Sequence, residues 1–151
     1  WFISTNCNLC SEENIEVINS IWRKFGSKTI TMKPKDHDSI MAITSHIPHL
    51  IAYNIVGTAS ELEENIKSEV IKFSASGFRD FTRIASSDPV MWRDIMLSNK
   101  DEIISLLDKF NNDLKQIIDA IKKDNGEFLV KKFQKTREIR KKIVEAGLDK
   151  N

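Results

Sequence analysis

Residues 74–96 read SASGFRDFTRIASSDPVMWRDIM and set two helices end to end. At about 100° per residue, Phe78, Phe81, Ile84 and Ala85 fall on one face, and Arg79, Arg83 and Ser86 fall on the other with Asp80 beside them. Such a pattern seats a helix on a core and leaves its charges outside. Asp88 is placed to cap a second helix. Pro89 can take the first helical position, where a missing N–H costs nothing. That second helix then presents Trp92, Ile95 and Met96 as an apolar stripe. The two arginines stack like charges at i,i+4, which is mildly destabilising, and Asp80 stands where it can offset and orient Arg83. An arginine held by a carboxylate is a good receptor for a second carboxylate, because its planar fork binds both oxygens. The same spacing fits a surface ion-pair cluster, and spacing alone leaves both readings open.

Working outward, the chain from Pro34 onward is predicted to be helical. One helix covers 35–46, and Pro48 starts a second that runs to about Ala59. The stretch SELEENIKSEVIKF, residues 60–73, opens on a serine cap and leads into the arginine helix. In the longest helix Ile103, Leu107, Phe110, Leu114, Ile117 and Ile121 are spaced four, three, four, three, four, which is a heptad seam. Ile104, Leu106 and Ile118 widen it. Asn99 and Glu102 resemble a capping box at its start, with Gly126 just past its end. A last helix, about 127–146, turns Leu129, Phe133, Ile139 and Ile143 inward and stops at Gly147. The seam fits an intrachain bundle or a subunit interface; so long and apolar a helix favours a dimer.

Ahead of Pro34 the pattern changes. WFIS, residues 1–4, has the look of a strand with no adjacent strand to pair with. Ser11 can cap a helix with Ile15, Ile18, Trp22 and Phe25 at helical spacing and Gly26 as its C-terminal stop. KTITM, residues 28–32, is a second short strand. Strand–helix–strand is the trailing edge of an α/β domain. The expected organisation is therefore residues 1–33 as that edge and residues 34–151 as a mainly α helical bundle.

With 151 residues, 40% of them hydrophobic and 30% charged, the composition is that of a globular domain. A net charge of +1 sets up no global field toward nucleic acid or membrane. Ten of the 23 Lys and Arg but only five of the 22 Asp and Glu lie in 122–151, leaving 13 against 17 elsewhere. A basic terminal helix beside a mildly acidic body is read as a solvated face. IPHLIAYNIVGTA, residues 47–59, is too short to span a bilayer and carries His49 and Asn54. The sequence opens on Trp rather than Met, so it is read as a piece of a longer protein.

Cys7 and Cys10 form a C-x-x-C pair with no second pair to complete four zinc ligands, and they read as reduced thiols of a cytosolic loop. His37, His46 and His49 lie within thirteen residues, with Asp38 alongside. A metal would need them to converge on one point. Imidazoles that hydrogen-bond a substrate, or structural histidines, are the simpler readings.

Two blocks go further. SGFRDFTRIASSDPVMWRDI, residues 76–95, and HDSIMAITSHIPHLIAY, residues 37–53, resemble the two most recognisable C-terminal blocks of prephenate dehydrogenases, in the right order and at the right distance. The resemblance implies a helical dimerisation domain like the C-terminal domain of 6-phosphogluconate dehydrogenase, preceded by the end of a Rossmann domain. It implies NAD- or NADP-dependent oxidative decarboxylation of prephenate (or oxidation of arogenate) in cytoplasmic tyrosine biosynthesis, by a homodimer. By the same resemblance Arg83 would bind a substrate carboxylate, with His49 and Ser45 lining the pocket. Arg79, Asp80, His37 and Asp38 would form an ionic network nearby, and Trp92 and Gly77 would pack against the site. Ser76 stands where the family often has a second glycine, which alters the pocket's detailed shape. No G-x-G-x-x-G occurs in the sequence, so the cofactor fingerprint and the catalytic histidine are expected upstream of Trp1 and the chain alone is expected to be inactive. A stand-alone helical ligand-binding or regulatory module and a basic nucleic-acid binder are the competing readings.

Overall fold

The computed structural model describes residues 1–6, 10–61, 72 and 76–145. The chain divides into two compact units, residues 1–106 and 107–151.

The first unit opens with strand β1 (Phe2–Thr5), helix α1 (Glu12–Lys24) and strand β2 (Thr29–Met32). Ser11 caps α1 by accepting the Asn14 N–H at 3.3 Å. Gly26 closes the helix at φ +84°, the left-handed conformation that a Cβ disfavours. Contrary to the expectation for WFIS, β1 does have a partner. It pairs in parallel with β2, Phe2 against Thr29 through Thr5 against Met32. Parallel neighbours need a long crossover, and α1 supplies it, so the partner lies well downstream in the sequence rather than adjacent. A polar cluster around the buried Asn19 ties the three elements together. Asn19 donates to Thr31 Oγ1 at 3.2 Å and accepts from Ser4 at 3.3 Å, while the two hydroxyls lie 2.9 Å apart. Phe2 stacks on Trp22 with ring centroids at 4.9 Å. Two strands cannot cover the whole apolar stripe of α1, and Ile18, Trp22 and Phe25 stay exposed.

Helix α2 (Pro34–Met41) does not end in a break before Pro48. It widens into a π turn (Ala42–His46) and continues as α3 (Ile47–Ser60). Backbone angles stay right-handed helical through His46 and Ile47, and Ile47 N–H bonds to Ala42 O five residues back. A proline ring clashes with the carbonyl four residues before it in a straight α-helix. The wider turn takes up Pro48 without a break. Ala42, Ile47 and Ala52 are buried on this run.

The expected helix over 60–73 lies almost entirely outside the described residues. Helix α4 (Ser76–Thr82) tightens into a 3₁₀ turn (Arg83–Ser86), and both pack on α3. Phe78, Ile84 and Ala85 are half-buried, as their face predicts, whereas Phe81 is exposed. The stop at SDP forms as read. Asp88 Oδ1 accepts the Met91 N–H at 2.7 Å and Pro89 opens α5 (Pro89–Ser98). The Tyr53 hydroxyl of α3 donates to Ser87 O at 2.6 Å and fixes that corner. Trp92 is buried, 7% exposed.

Helix α6 (Lys100–Lys122) begins in the first unit, where Ile103 is buried, and ends in the second. The capping box read from Asn99 and Glu102 does not form. The Asn99 N–H is taken by Ile95 O at 3.2 Å, and both side chains reach other elements. In the second unit α6 ends in a Schellman motif, with Asn125 N–H on Ala120 O and Asp124 N–H on Ile121 O. The left-handed position is Asp124 at φ +50°, not Gly126. Gly126 instead starts α7 (Gly126–Glu145), capped by the Asn125 side chain on Phe128 N–H at 3.1 Å. Lys132 reaches Asp113 O at 3.3 Å and holds the helical hairpin together. Phe110, Leu114, Ile118, Ile121 and Phe133 remain exposed.

Candidate functional site

The residues singled out in HDSIMAITSHIPHLIAY sit on the α2–π turn–α3 run. Because the π turn inserts extra chain per turn, it rotates α3 about its axis, and His46 and His49 both come to face Trp92 of α5. The His49 ring stacks on the indole at 3.6 Å between centroids, 22° between planes. His46 meets the same indole edge-on at 6.3 Å. His49 Nδ1 lies 2.9 Å from Ser45 O. A carbonyl only accepts, so Nδ1 carries the proton and a neutral ring keeps a lone pair at Nε2. The link to Ser45 is thus through its backbone carbonyl.

His46 has the opposite tautomer. Its Nδ1 accepts from the Asn99 amide at 3.2 Å, and the same amide donates to Asp38 O at 2.8 Å. Beside it, Ser39 donates to Glu102 at 2.8 Å. Burial, first, and then the neighbouring His37 and His49 push the His46 pKa below 6.5, against an opposing pull from Asp38. A lowered folded pKa makes stability full above pH 6.5 and erodes it as the pH falls from there through the folded value. Urea melts at descending pH should therefore show a loss below 6.5 that His46→Gln reduces; parallel profiles for the two proteins would contradict this.

Of the residues expected in an ionic network, one adjacent pair is in contact. His37 Nδ1 and Asp38 Oδ1 lie 3.0 Å apart. Arg79, Asp80 and Arg83 are exposed, and among the described residues no ion pair joins Asp80 to Arg83. An exposed pair gains little over its water contacts. Among the described residues no carboxylate engages the Arg83 fork. Gly77 is exposed as well, and a Cβ there would meet nothing within 4 Å.

Two clefts flank the histidines. One of about 240 Å³ is almost wholly apolar and lined by Leu50, Tyr53, Pro89, Trp92, Arg93 and Met96. The other, about 270 Å³, is lined by Lys35, Asp38, Ser98, Asn99, Asp101 and Glu102. Neither is lined by Arg83, His49 or Ser45. Asn99, Glu102 and Tyr53 were not legible as site neighbours, because their partners lie 61, 63 and 34 residues away.

The α1 N-terminus is no place for a dinucleotide pyrophosphate. Ser11 already occupies one of its N–H groups, and Glu12 and Glu13 put negative charge there. Among the described residues no group of three His, Cys, Asp or Glu could hold a metal ion, and no helix is long and apolar enough to cross a membrane.

A parallel β–α–β unit thus runs into a mainly helical region in which two imidazoles gather on a buried indole. The family model "Prephenate dehydrogenase, dimerization domain" matches residues 33–135, and the chain belongs to that family. It is 37% identical over 126 residues to a cyclohexadienyl dehydrogenase of Zymomonas mobilis, covering 83% of this chain and 43% of that protein. It is 32% identical over 140 residues to a prephenate dehydrogenase of Bacillus subtilis, covering 93% and 38%. The crystal structure of prephenate dehydrogenase from A. aeolicus in complex with hydroxyphenyl propionate and NAD+ superposes with a TM-score of 0.85 at 30% identity, over 93% of this chain and 49% of that one. The chain thus spans half or less of the length of these relatives.

Proposed function

We propose that this chain is the substrate-binding and dimerisation part of a cytoplasmic NAD- or NADP-dependent prephenate dehydrogenase, which oxidatively decarboxylates prephenate to 4-hydroxyphenylpyruvate. Residues 1–33 would be the edge of the dinucleotide-binding domain and residues 34–151 the helical domain. The observation that carries the reading is His49: stacked on Trp92 and oriented through Nδ1 by Ser45 O, it offers Nε2 to a ligand. The stacking fixes the ring plane, and the hydrogen bond fixes the tautomer. Arg83, exposed and without an ion pair among the described residues, supplies the guanidinium for a substrate carboxylate. Arg79 and Asp80, exposed on α4, and the His37–Asp38 pair set the charge around it. The cofactor belongs to the other domain, since the sequence holds no glycine fingerprint and the α1 N-terminus is already capped.

The test is spectrophotometric. A full-length dehydrogenase carrying this domain should form NADH or NADPH from prephenate, and the 151-residue chain alone should form none. Failure of the full-length protein to oxidise either prephenate or arogenate would overturn the reading. Turnover by the isolated chain would refute the division of labour. Oxidation of arogenate alone would move the assignment to the second substrate.

The exposed apolar row Phe110, Leu114, Ile118 and Ile121 is read as the homodimer face, in keeping with the family's description as a dimerisation domain. Burying such a row against a second copy removes apolar surface from water at about 25 cal/mol per Å². Light scattering should give twice 17.4 kDa for the chain and 17.4 kDa for Leu114→Glu with helicity retained. A monomeric parent chain would contradict the dimer.

A further inference from the structure

We propose that Asn99 is a positioning residue of this site: by bridging Asp38 O and His46 Nδ1 it keeps His46 in the Nε2–H tautomer and pins the π turn that presents Ser45 and His49. The inference rests on the substrate reading for its consequence but not for its geometry. Asn99 lies between α5 and α6, far in sequence from what it holds. Its amide makes both contacts, at 2.8 and 3.2 Å, with one NH₂ group. The second anchor sits one turn along, where Ser39 donates to Glu102 at 2.8 Å. Two polar clamps from the start of α6 therefore grip the end of α2, just where the helix must widen to admit Pro48.

A π turn is less favourable than the α-helix it interrupts and persists where its surroundings over-determine it. Here the surroundings are Asn99, Glu102 and the indole of Trp92. An amide NH₂ only donates, so its partner nitrogen must be unprotonated. This makes Asn99 selective for charge as well as shape. The groups facing His46 are His37 and Asp38 on α2, His49 on α3, Trp92 on α5 and Asn99 itself. If His46 took a proton at Nδ1, the Asn99 bond would be lost. Its cation would then stand near His49, which must meet the substrate.

Nitrogen-detected NMR of the 151-residue chain tests this without substrate. The His46 Nδ1 resonance should be that of an unprotonated ring nitrogen. In Asn99→Asp the carboxylate replaces the donor by an acceptor, and the His46 pKa should rise by about one unit or more. In Asn99→Ala the tautomer preference should weaken. A proton on Nδ1 in the parent chain, or an unchanged His46 tautomer and titration in both variants with the fold retained, overturns the proposal. In the full-length dehydrogenase Asn99→Asp should raise KM for the carboxylate substrate about tenfold while kcat changes far less. If the NMR result holds and KM does not move, Asn99 positions His46 but the substrate reading of His49 fails, so the two are separable. Should Asn99→Asp not fold, the parent tautomer and Asn99→Ala still decide.

Discussion

Arg83→Lys in the full-length dehydrogenase is expected to weaken prephenate binding by roughly 1.5–3 kcal/mol, about 10- to 150-fold, the scale for losing one charge-assisted hydrogen bond of a bidentate contact. The loss should be in KM, with thermal stability unchanged. Arg83 is exposed, begins a 3₁₀ turn, and makes no ion pair among the described residues. Among the described residues nothing needs its charge, so the fold should tolerate the replacement. Lysine keeps the charge and loses the planar fork, and this separates bidentate recognition from simple attraction. Kinetics unchanged in both KM and kcat would show that Arg83 is a solvated surface residue. Arg79→Lys serves as the control: also exposed and one helical turn earlier, it should change KM far less.

Trp92→Ala should cost about 3–5 kcal/mol of stability, read from urea melts of the 151-residue chain. Among the described residues of the first unit Trp92 is a large buried side chain, and the other buried apolar positions are Ala42, Ile47, Ala52 and Ile103. Its removal leaves a cavity beside Leu50, Tyr53 and Met96, which helical backbone holds in place. It also takes away the surface on which both imidazoles rest, at 3.6 and 6.3 Å. Trp92→Phe separates these roles. It should recover much of the stability while the smaller ring supports His49 less well, so binding stays impaired. The buried indole N–H, which has no hydrogen-bond partner among the described residues, adds little to oppose that exchange. A melt within about 1 kcal/mol of the parent for Trp92→Ala would place the indole outside the core, against ordinary large-to-small costs.

Local chemistry was legible where the partners are close in sequence. Ser11 over Asn14, Asp88 over Met91, Pro89 as the first helical residue and the left-handed Gly26 all follow from residue types within four positions. The family was legible from two blocks whose residue order carries more than their periodicity. Long-range pairing was not. β1 finds β2 only after α1 has turned the chain back, and neither strand announces its partner. Asn99 and Glu102 resemble a capping box, yet their side chains bond to residues 61 and 63 positions earlier. Pro48 read as a helix break because a π turn leaves no mark of its own in composition. Gly126 attracted the reading of a helix stop, although Asp124 tolerates the left-handed conformation well enough to hold that place. Among the described residues no ion pair joins Asp80 to Arg83, because helical spacing permits a contact and exposure to water removes the incentive for it.

The proposed function requires Arg83 and His49 to meet the substrate together, one through its guanidinium and the other through Nε2. Nitrogen-detected NMR of the full-length dehydrogenase with NAD⁺ can follow both side chains during titration with 3-(4-hydroxyphenyl)propionate, a carboxylate resembling the reaction product. Both the Arg83 guanidinium and the His49 Nε2 resonances should shift along one saturating curve. A ligand that competes with prephenate while leaving both resonances in place would contradict it.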